Sequence, residues 1–321
     1  MAEEVPPPNY NPDTECLFDI EDSDLRLLSD LYKENEQNPY ATSLLDNGIR
    51  IRDLMKGYPL RFMSPLGVWK DSGTFIANIE FDSCIEVGVF TLNPEDEYSY
   101  NDAIFSGLNF TKRINFDSNK RPVIFKEIHE KLVPLIKRIV RKRFLQIEKE
   151  EKFHVFKMIK DDAIQLEVSI SEDANIEIKP LNAIHSFVIK EHWPHPLIGE
   201  DDIPCALIDV NGGYGIFLKS TGQLVSWGIK TMMGQIGFVQ TLKEFQRKGY
   251  ASIIVRKFAK EFASEGINPC AIVAIDDIVS HNFFENNGFK KVGYCHNIYL
   301  KLRKNALATD NYEAGEGTSK S

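Results

Sequence analysis

One stretch limits the possible folds more than any other. Gln235–Leu242 reads as a strand, Lys243–Phe245 as a short turn, and Gln246-Arg247-Lys248-Gly249-Tyr250-Ala251 as the opening of a helix. That helix runs from Gly249 to about Glu265 and stops at Gly266. A strand feeding a glycine-bearing loop into a helix leaves several backbone N–H groups without partners. Those donors and the helix dipole form a seat for a phosphate or pyrophosphate. Gly249 lets an oxygen approach the backbone closely, and Arg247 and Lys248 add positive charge at the same place. Between Trp227 and Glu265 there are seven Lys or Arg and three Glu, in a chain of net charge −9, so an anionic ligand is favoured here. Ile254, Val255, Phe258, Ala259, Phe262 and Ala263 give the helix an apolar face toward a core. The loop is not a Walker loop, because no GK[ST] follows, and it lacks the three-glycine dinucleotide pattern.

Composition narrows the remaining classes. The chain has 321 residues, which at about 100–200 per domain suggests two domains or one large one. Its 43% hydrophobic and 26% charged residues exclude wholesale disorder and a fibrous repeat. With 38 Lys plus Arg against 47 Asp plus Glu, it is not a general nucleic-acid coat protein. No apolar run approaches the ~18 residues of a membrane span. Cys16, Cys84, Cys205, Cys270 and Cys295 are far apart and form no CxxC pair, which fits a reducing compartment. Residues 1–16, acidic and proline-bearing, read as a disordered tail without a secretory or mitochondrial leader, and 303–321 as a second tail. A cytoplasmic location is the expectation.

An α+β organisation is expected, with one domain over 17–155 and another over 176–302. In the first, Leu25–Tyr32 has helical spacing, Thr74–Phe81 and Ile85–Leu92 read as strands joined by an Asp82-Ser83-Cys84 turn, and Lys126–Glu150 as a long helix kinked or restarted at Pro134. Its polar side carries Lys137, Arg138, Arg141, Lys142 and Arg143, expected as a solvated face or else a surface for an acidic partner or anionic lipid. In the second, Ile176–Pro180, Cys205–Asn211, Tyr214–Lys219, Leu224–Thr231, Cys270–Ile275 and Lys291–Leu302 read as strands, with Gly212-Gly213 as a hairpin turn. Asn182–Glu191 and Val279–Asn286 read as helices.

Two motifs carry a family resemblance. Gln246–Ala251 resembles the Q/R-x-x-G-x-G/A loop of the GNAT superfamily of acyl-CoA-dependent N-acyltransferases. Asp277-Ile278-Val279-Ser280-His281-Asn282-Phe283-Phe284, ending at Gly288-Phe289, resembles that superfamily's N-x-x-S/A-x-x-L/F-Y-x-x-x-G-F segment. Trp193-Pro194 and Leu224-Val225-Ser226-Trp227 are similar to the glycine N-acyltransferase-like branch and its invertebrate relatives. The resemblance covers about Ile176–Leu302; the first half resembles that branch's degenerate GNAT-like first domain only in size and element order.

The resemblance implies a splayed mixed central sheet and an acyl-CoA or acetyl-CoA co-substrate. It implies that Phe238, Val239, Gln240 and Thr241 pair with the pantetheine amides, and that Arg247, Lys248, Gly249, Tyr250 and Ala251 hold the pyrophosphate. It further implies direct attack of glycine or another small amine on the thioester, accelerated by alignment, with a strand N–H near Val239 holding the oxyanion. Relatives in the branch are often mitochondrial, so that compartment is the alternative.

The family's proton-transfer positions are altered. An ammonium must lose a proton to become a nucleophile. Glycine N-acyltransferases carry a glutamate directly after the glycine that begins this strand; here it is Gln235, which holds a water or substrate but takes no proton. The usual tyrosine acid is Phe284, and the motif's asparagine is Asp277, a candidate for the pantetheine side. Ser280 is retained near the expected thiolate. Asp276, His281, Asp209 and His296 are substitute bases in principle, and Tyr294 and Tyr299 substitute acids. His192 and His195 lie close but lack a third ligand at a known metal spacing, and Trp193 suits packing or the acceptor pocket. The alternatives to an active transferase are a weak or inactive acyl-CoA-binding protein on the same fold and an interaction protein using the basic face. Oligomeric state is not legible.

Overall fold

The computed structural model describes residues 15–302 except 34, 36, 56–57, 96, 171–174 and 195–201. Along the first half run β1 (Leu17–Asp19), α1 (Asp22–Tyr32), α2 (Ala41–Leu54), β2 (Leu60–Pro65), α3 (Trp69–Ser72), β3 (Phe75–Glu80), β4 (Ile85–Phe90), α4 (Glu97–Phe110), β5 (Val123–His129), α5 (Val133–Lys142) and β6 (Ile147–Lys157). After α6 (Lys160–Ile164) come β7 (Ile176–Pro180), α7 (His185–His192), α8 (Ile203–Asn211), β8 (Gly213–Leu218), β9 (Leu224–Lys230), β10 (Ile236–Thr241), α9 (Tyr250–Ser264), β11 (Cys270–Ala274), α10 (Ile278–Asn286) and β12 (Lys290–Leu300).

Among the described residues these strands make two sheets. One has the order β1-β2-β3-β4-β5-β12-β6-β11 and the other β10-β9-β8-β7. All pairings are antiparallel except β4 with β5. β12, from the chain's end, inserts between β5 and β6. β6 in turn pairs with β11, so one continuous sheet crosses the sequence division between 155 and 176. β10 and β11 lie near each other at the ends of the two sheets, with no ladder between them. The architecture is mixed α+β, as expected, with the sheet splayed where β10 and β11 part.

Amphipathic burial holds each layer. The β9–β10 ladder carries α9 on one face, where Ile254, Val255, Phe258 and Phe262 are buried with Val225 and Ile236. Its other face packs Trp227 and Ile229 with Ile189 of α7 and Leu207 of α8. The first half closes over its own core of Ile76, Val87, Val89, Ile104, Ile136 and Ile139.

Several expected elements are replaced. Lys126–Glu150 is not one helix. Its first residues belong to β5, a 3-10 turn covers Glu130–Leu132, α5 begins with Pro134 in its first turn, and Ile147 opens β6. Proline there suits a helix start, and pairing with β12 draws the charged Ile147–Phe153 run into a strand that its local sequence does not favour. Cys205–Asn211 is helical within α8, again with proline in the first turn; a short apolar run has no period that separates strand from helix. Gly212 therefore caps α8 instead of turning a hairpin.

The basic side of α5 is partly internal. Arg143 donates to the Leu108 and Asn109 carbonyls at 2.9 and 2.7 Å, Arg138 lies 4.3 Å over the Phe105 ring, and Lys137 pairs with Glu150 at 2.7 Å. The tail expected over 1–16 lies outside the described residues up to 14. Cys16 itself is buried, and its carbonyl accepts from the Leu66 amide. The 303–321 tail also lies outside them. Among the described residues no helix is long and apolar enough to cross a membrane.

The two halves meet at the start of β10. Ser43 of α2 donates to the Gly234 carbonyl at 2.9 Å. Gly234 has φ +74°, and a Cβ there would lie 2.1 Å from Ser43 Oγ and 2.8 Å from its backbone carbon. Gly234→Ala combines left-handed strain with a backbone clash and should destabilise the chain by at least about 2 kcal/mol. Urea unfolding checks this; an unchanged midpoint would show that the junction relaxes freely.

Candidate active site

Three segments border the gap between β10 and β11: the loop into α9, β10 itself, and the turn from β11 into α10. In the loop, Arg247 and Gly249 have φ +62° and +79°. This alternation turns successive amides outward, as in an anion-binding nest. Among the described residues the backbone N–H groups of Arg247, Lys248, Gly249, Tyr250, Ala251 and Ser252 have no hydrogen-bond partner. No side chain caps α9. A Cβ on Gly249 would meet nothing within 4 Å, so the space over these donors is open. Arg247 and Lys248 are exposed and make no ion pair among the described residues; Lys248 only rests 5.0 Å from the Phe245 ring centre.

β10 leaves its outer edge unpaired. Its register against β9 shifts between Gly237 and Gln240, so Phe238 and Val239 have no partner residue, and Phe238 takes φ +53°. The bulge bends the strand away from a regular ladder where the thioester was expected. Phe238 packs on Trp193, ring centres 4.9 Å apart, and Gln240 donates to the His192 carbonyl at 2.5 Å. The end of α7 is thereby fixed against β10, whose outer edge carries no strand, while Gln246 donates to the Thr241 carbonyl at 3.2 Å. Gln240 Oε1 and the indole N–H of its cross-strand neighbour Trp227 are buried without partners. Thr241 shares its hydroxyl with Ser226 at 2.8 Å.

On the β11 side, Asp277 accepts from the Ser280 amide at 3.0 Å and so caps α10. The Ser280 hydroxyl has no partner among the described residues. Phe284 is 6% exposed and packs against Phe156 and Phe289, with ring centres 5.7 and 5.3 Å away. His281 turns away from the solvent side of α10. It is buried against His154, ring centres 4.9 Å apart, and its Nε2 has no partner. Burial and the facing His281 hold the His154 imidazole below its ordinary range.

The β10 bulge follows Gln235 along the chain, the loop lies at the other end of β10, and Ser280 stands in the first turn of α10 after β11. The candidate substitute bases are scattered. Asp209 is exposed on α8, and Asp276 is exposed on the turn before α10. His296 is bonded to Glu150 at 3.0 Å, with burial lowering its basicity against that carboxylate's pull. Lys152 covers the Tyr294 ring at 3.9 Å, and Tyr299 is buried. His195 lies outside the described residues. Among the described residues no group of three His, Cys, Asp or Glu could hold a metal ion.

One residue at the gap escaped the sequence. Gln235, 1% exposed, donates through Nε2 to Oε2 of Glu127. Glu127 comes from β5 of the first half and is 3% exposed. Its backbone has φ +54°, its N–H donates to Asn297 Oδ1 at 2.8 Å, and its carbonyl accepts from the Tyr40 hydroxyl at 2.8 Å. Oε1 has no partner among the described residues. Burial pushes this carboxyl up to about 8, nearby Glu86 adds to the rise, and Lys126 and the Gln235 bond oppose it. Glu127 in turn helps raise the buried Cys270 thiol, at the start of β11, to about 12, after burial itself. The carboxyl thus bonds the residue before β10 and acts on the first residue of β11. A left-handed non-glycine residue inside a strand was the available signal, and it is invisible in sequence.

Comparison with known proteins fits this geometry. The FR47-like protein family matches residues 213–299, from β8 into the last strand. A solved Drosophila protein superposes with a TM-score of 0.77 at 18% identity, covering 90% of this chain and 99% of that one. A tandem GNAT protein from the clavulanic acid biosynthesis pathway has a TM-score of 0.48 at 8% identity over 88% of this chain and 97% of its own. A GCN5-related N-acetyltransferase from Kribbella flavida has 0.44 at 14% over 74% and 89%. No curated protein matches the sequence.

Glu127 predicts a pH dependence of stability. Its folded pKa lies above its unfolded value near 4.5, so the folded state binds the proton more tightly. Stability is therefore fully present below about pH 4.5 and is lost as pH rises toward about 8, with a slope of at most about 1.4 kcal/mol per pH unit. Glu127→Gln removes that contribution. Urea unfolding from pH 5 to 9 should show a smaller decline for the variant; parallel curves would contradict a buried, protonated carboxyl.

Proposed function

We propose that the protein is an acyl-CoA-dependent N-acyltransferase of the glycine N-acyltransferase-like kind, transferring an acyl group to a small amine. The observation that carries this is the row of partnerless amides from Arg247 to Ser252 beside an unpaired, bulged strand edge. A diphosphate needs concentrated N–H donors and positive charge, and the loop supplies both. A pantetheine arm carries amides that pair like a strand; β10 has no strand on its outer edge and its bulge at Phe238–Val239 lies outside the β9 register, while the Thr241 carbonyl is held by Gln246 Nε2 at 3.2 Å. The residues present therefore fit the co-substrate.

Within this site Arg247, Lys248, Gly249, Tyr250 and Ala251 would hold the pyrophosphate. Phe238, Val239, Gln240 and Thr241 would line the arm, and a bulge N–H near Val239 would face the thioester oxygen. Ser280 would lie at the sulfur side, with Asp277 fixing the first turn of α10 beneath it. Phe284 would contribute packing under that helix and no proton. Trp193 stacked on Phe238 would bound the acyl or acceptor end.

A second reading, an acyl-CoA-binding protein with weak or no turnover, is favoured by the lack of a hydroxyl at Phe284 and by the amide at Gln235. Thiol release from acetyl-CoA and longer acyl-CoAs with a panel of amino acids and small amines separates the two. Amine-dependent release supports the transferase; CoA binding with no release for any amine supports the binding protein.

Calorimetry with CoA tests the shared site. Gly249→Glu sets a carboxylate over the open amides and should abolish binding, whereas Arg247→Ala and Lys248→Ala should each weaken it about two- to fivefold. Unchanged affinity in Gly249→Glu would refute the loop assignment.

A further inference from the structure

The amide at Gln235 leaves the attacking amine without a proton acceptor on its own strand, and the geometry points to Glu127 as the general base of the proposed transfer, supplied to the second half's site by the first half's β5. The assignment rests on the N-acyltransferase reading above.

The case begins with position. Glu127 touches the residue that opens β10, through the Gln235 bond, and lies close enough to the first residue of β11 to act on the Cys270 thiol. A group at the head of both strands stands at the apex of the gap between them. Acidic side chains elsewhere around the gap are committed or exposed: Asp277 caps α10, and Asp276 is open to solvent. The backbone is over-determined in a strained conformation. Tyr40 and Asn297 clamp the Glu127 peptide from the loop before α2 and from β12, while φ stays at +54°. Strain held this firmly sets the direction of one side chain. Gln235 then fixes Oε2 and leaves Oε1 to accept a proton.

The surroundings suit the task. The groups facing the carboxyl are Lys126 on its own strand, Glu86 of β4 (which pairs with Lys126 at 3.1 Å), Tyr40, Cys270 of β11, Cys295 of β12 and the neutral Gln235. Burial keeps the carboxyl far more basic than an exposed glutamate, near the value that best serves proton removal from an ammonium in mildly alkaline solution. The step balances. The ammonium gives one proton to Glu127. The amine nitrogen bonds the thioester carbon as the C–S bond breaks. The second nitrogen proton leaves on the CoA thiol, and Glu127 returns its proton to solvent.

The test is the pH dependence of kcat/KM, with acetyl-CoA and glycine first and then the amine panel. The wild type should level off above about pH 8, because the bound ammonium is deprotonated in place. Glu127→Gln, isosteric with the protonated acid, should lose about 10²- to 10⁴-fold in kcat/KM. It should keep rising toward the amine's own pKa and retain wild-type CoA affinity. Glu127→Gln with Gln235→Glu moves the carboxyl across the bond and should restore the plateau. A Glu127→Gln variant that levels off where the wild type does, with unaltered kcat/KM, overturns the assignment alone. A wild type that binds CoA and releases no thiol with any amine overturns the transferase reading and the base with it.

Discussion

The proposed site depends on one absent set of hydrogen bonds, the ladder that β10 and β11 do not form. Parted strand ends expose backbone that an extended polar molecule can satisfy, and burying those groups unpaired would be strongly unfavourable. The bulge at Phe238–Val239 keeps the edge from being regularised, and α7 braces β10 from a face through Trp193 and Gln240 instead of covering its edge. The loop into α9 then places a cluster of donors at the far end of the same strand. The proposed thioester arm and diphosphate would follow this track.

The first half of the chain is part of this arrangement. β12 passes between β5 and β6, and β6 carries β11, so the position of one wall of the gap is set by strands from both halves. Ser43 grips the carbonyl before Gln235, and Tyr40 grips that of Glu127. A degenerate first domain would be a passive companion; here it buttresses the head of β10 and contributes a buried carboxyl to it. Glu127 also illustrates a general tension. The desolvation that raises its pKa is a stability penalty at alkaline pH, which the proposed role as a base would offset.

The local geometry of the candidate site was legible in sequence, and its long-range contacts were not. The loop at Arg247–Ala251 and the start of α9 could be read because a glycine there sets the local backbone, and α9 announces itself by its apolar period. β10, β11 and α10 were likewise found near their observed bounds. Glu127 was hidden because Lys126–Glu150 carries apolar residues at helical spacing, and only pairing with β12 shows that its ends are strands. Cys205–Asn211 failed for a related reason, a short apolar run with no period to decide it. Phe284 and His281 show a further limit. Their motif places them on α10, yet which faces the gap and which faces Phe156 and His154 follows from packing.

The central claim is that CoA rests on the Arg247–Ser252 amides and runs along β10. Amide chemical shifts of the isotope-labelled protein, recorded during titration with CoA, test it most directly. Perturbations should concentrate at Arg247–Ser252 and continue through Thr241 to Phe238, with the α5 surface unmoved. Saturable binding that shifts other amides and leaves those two segments in place would contradict it.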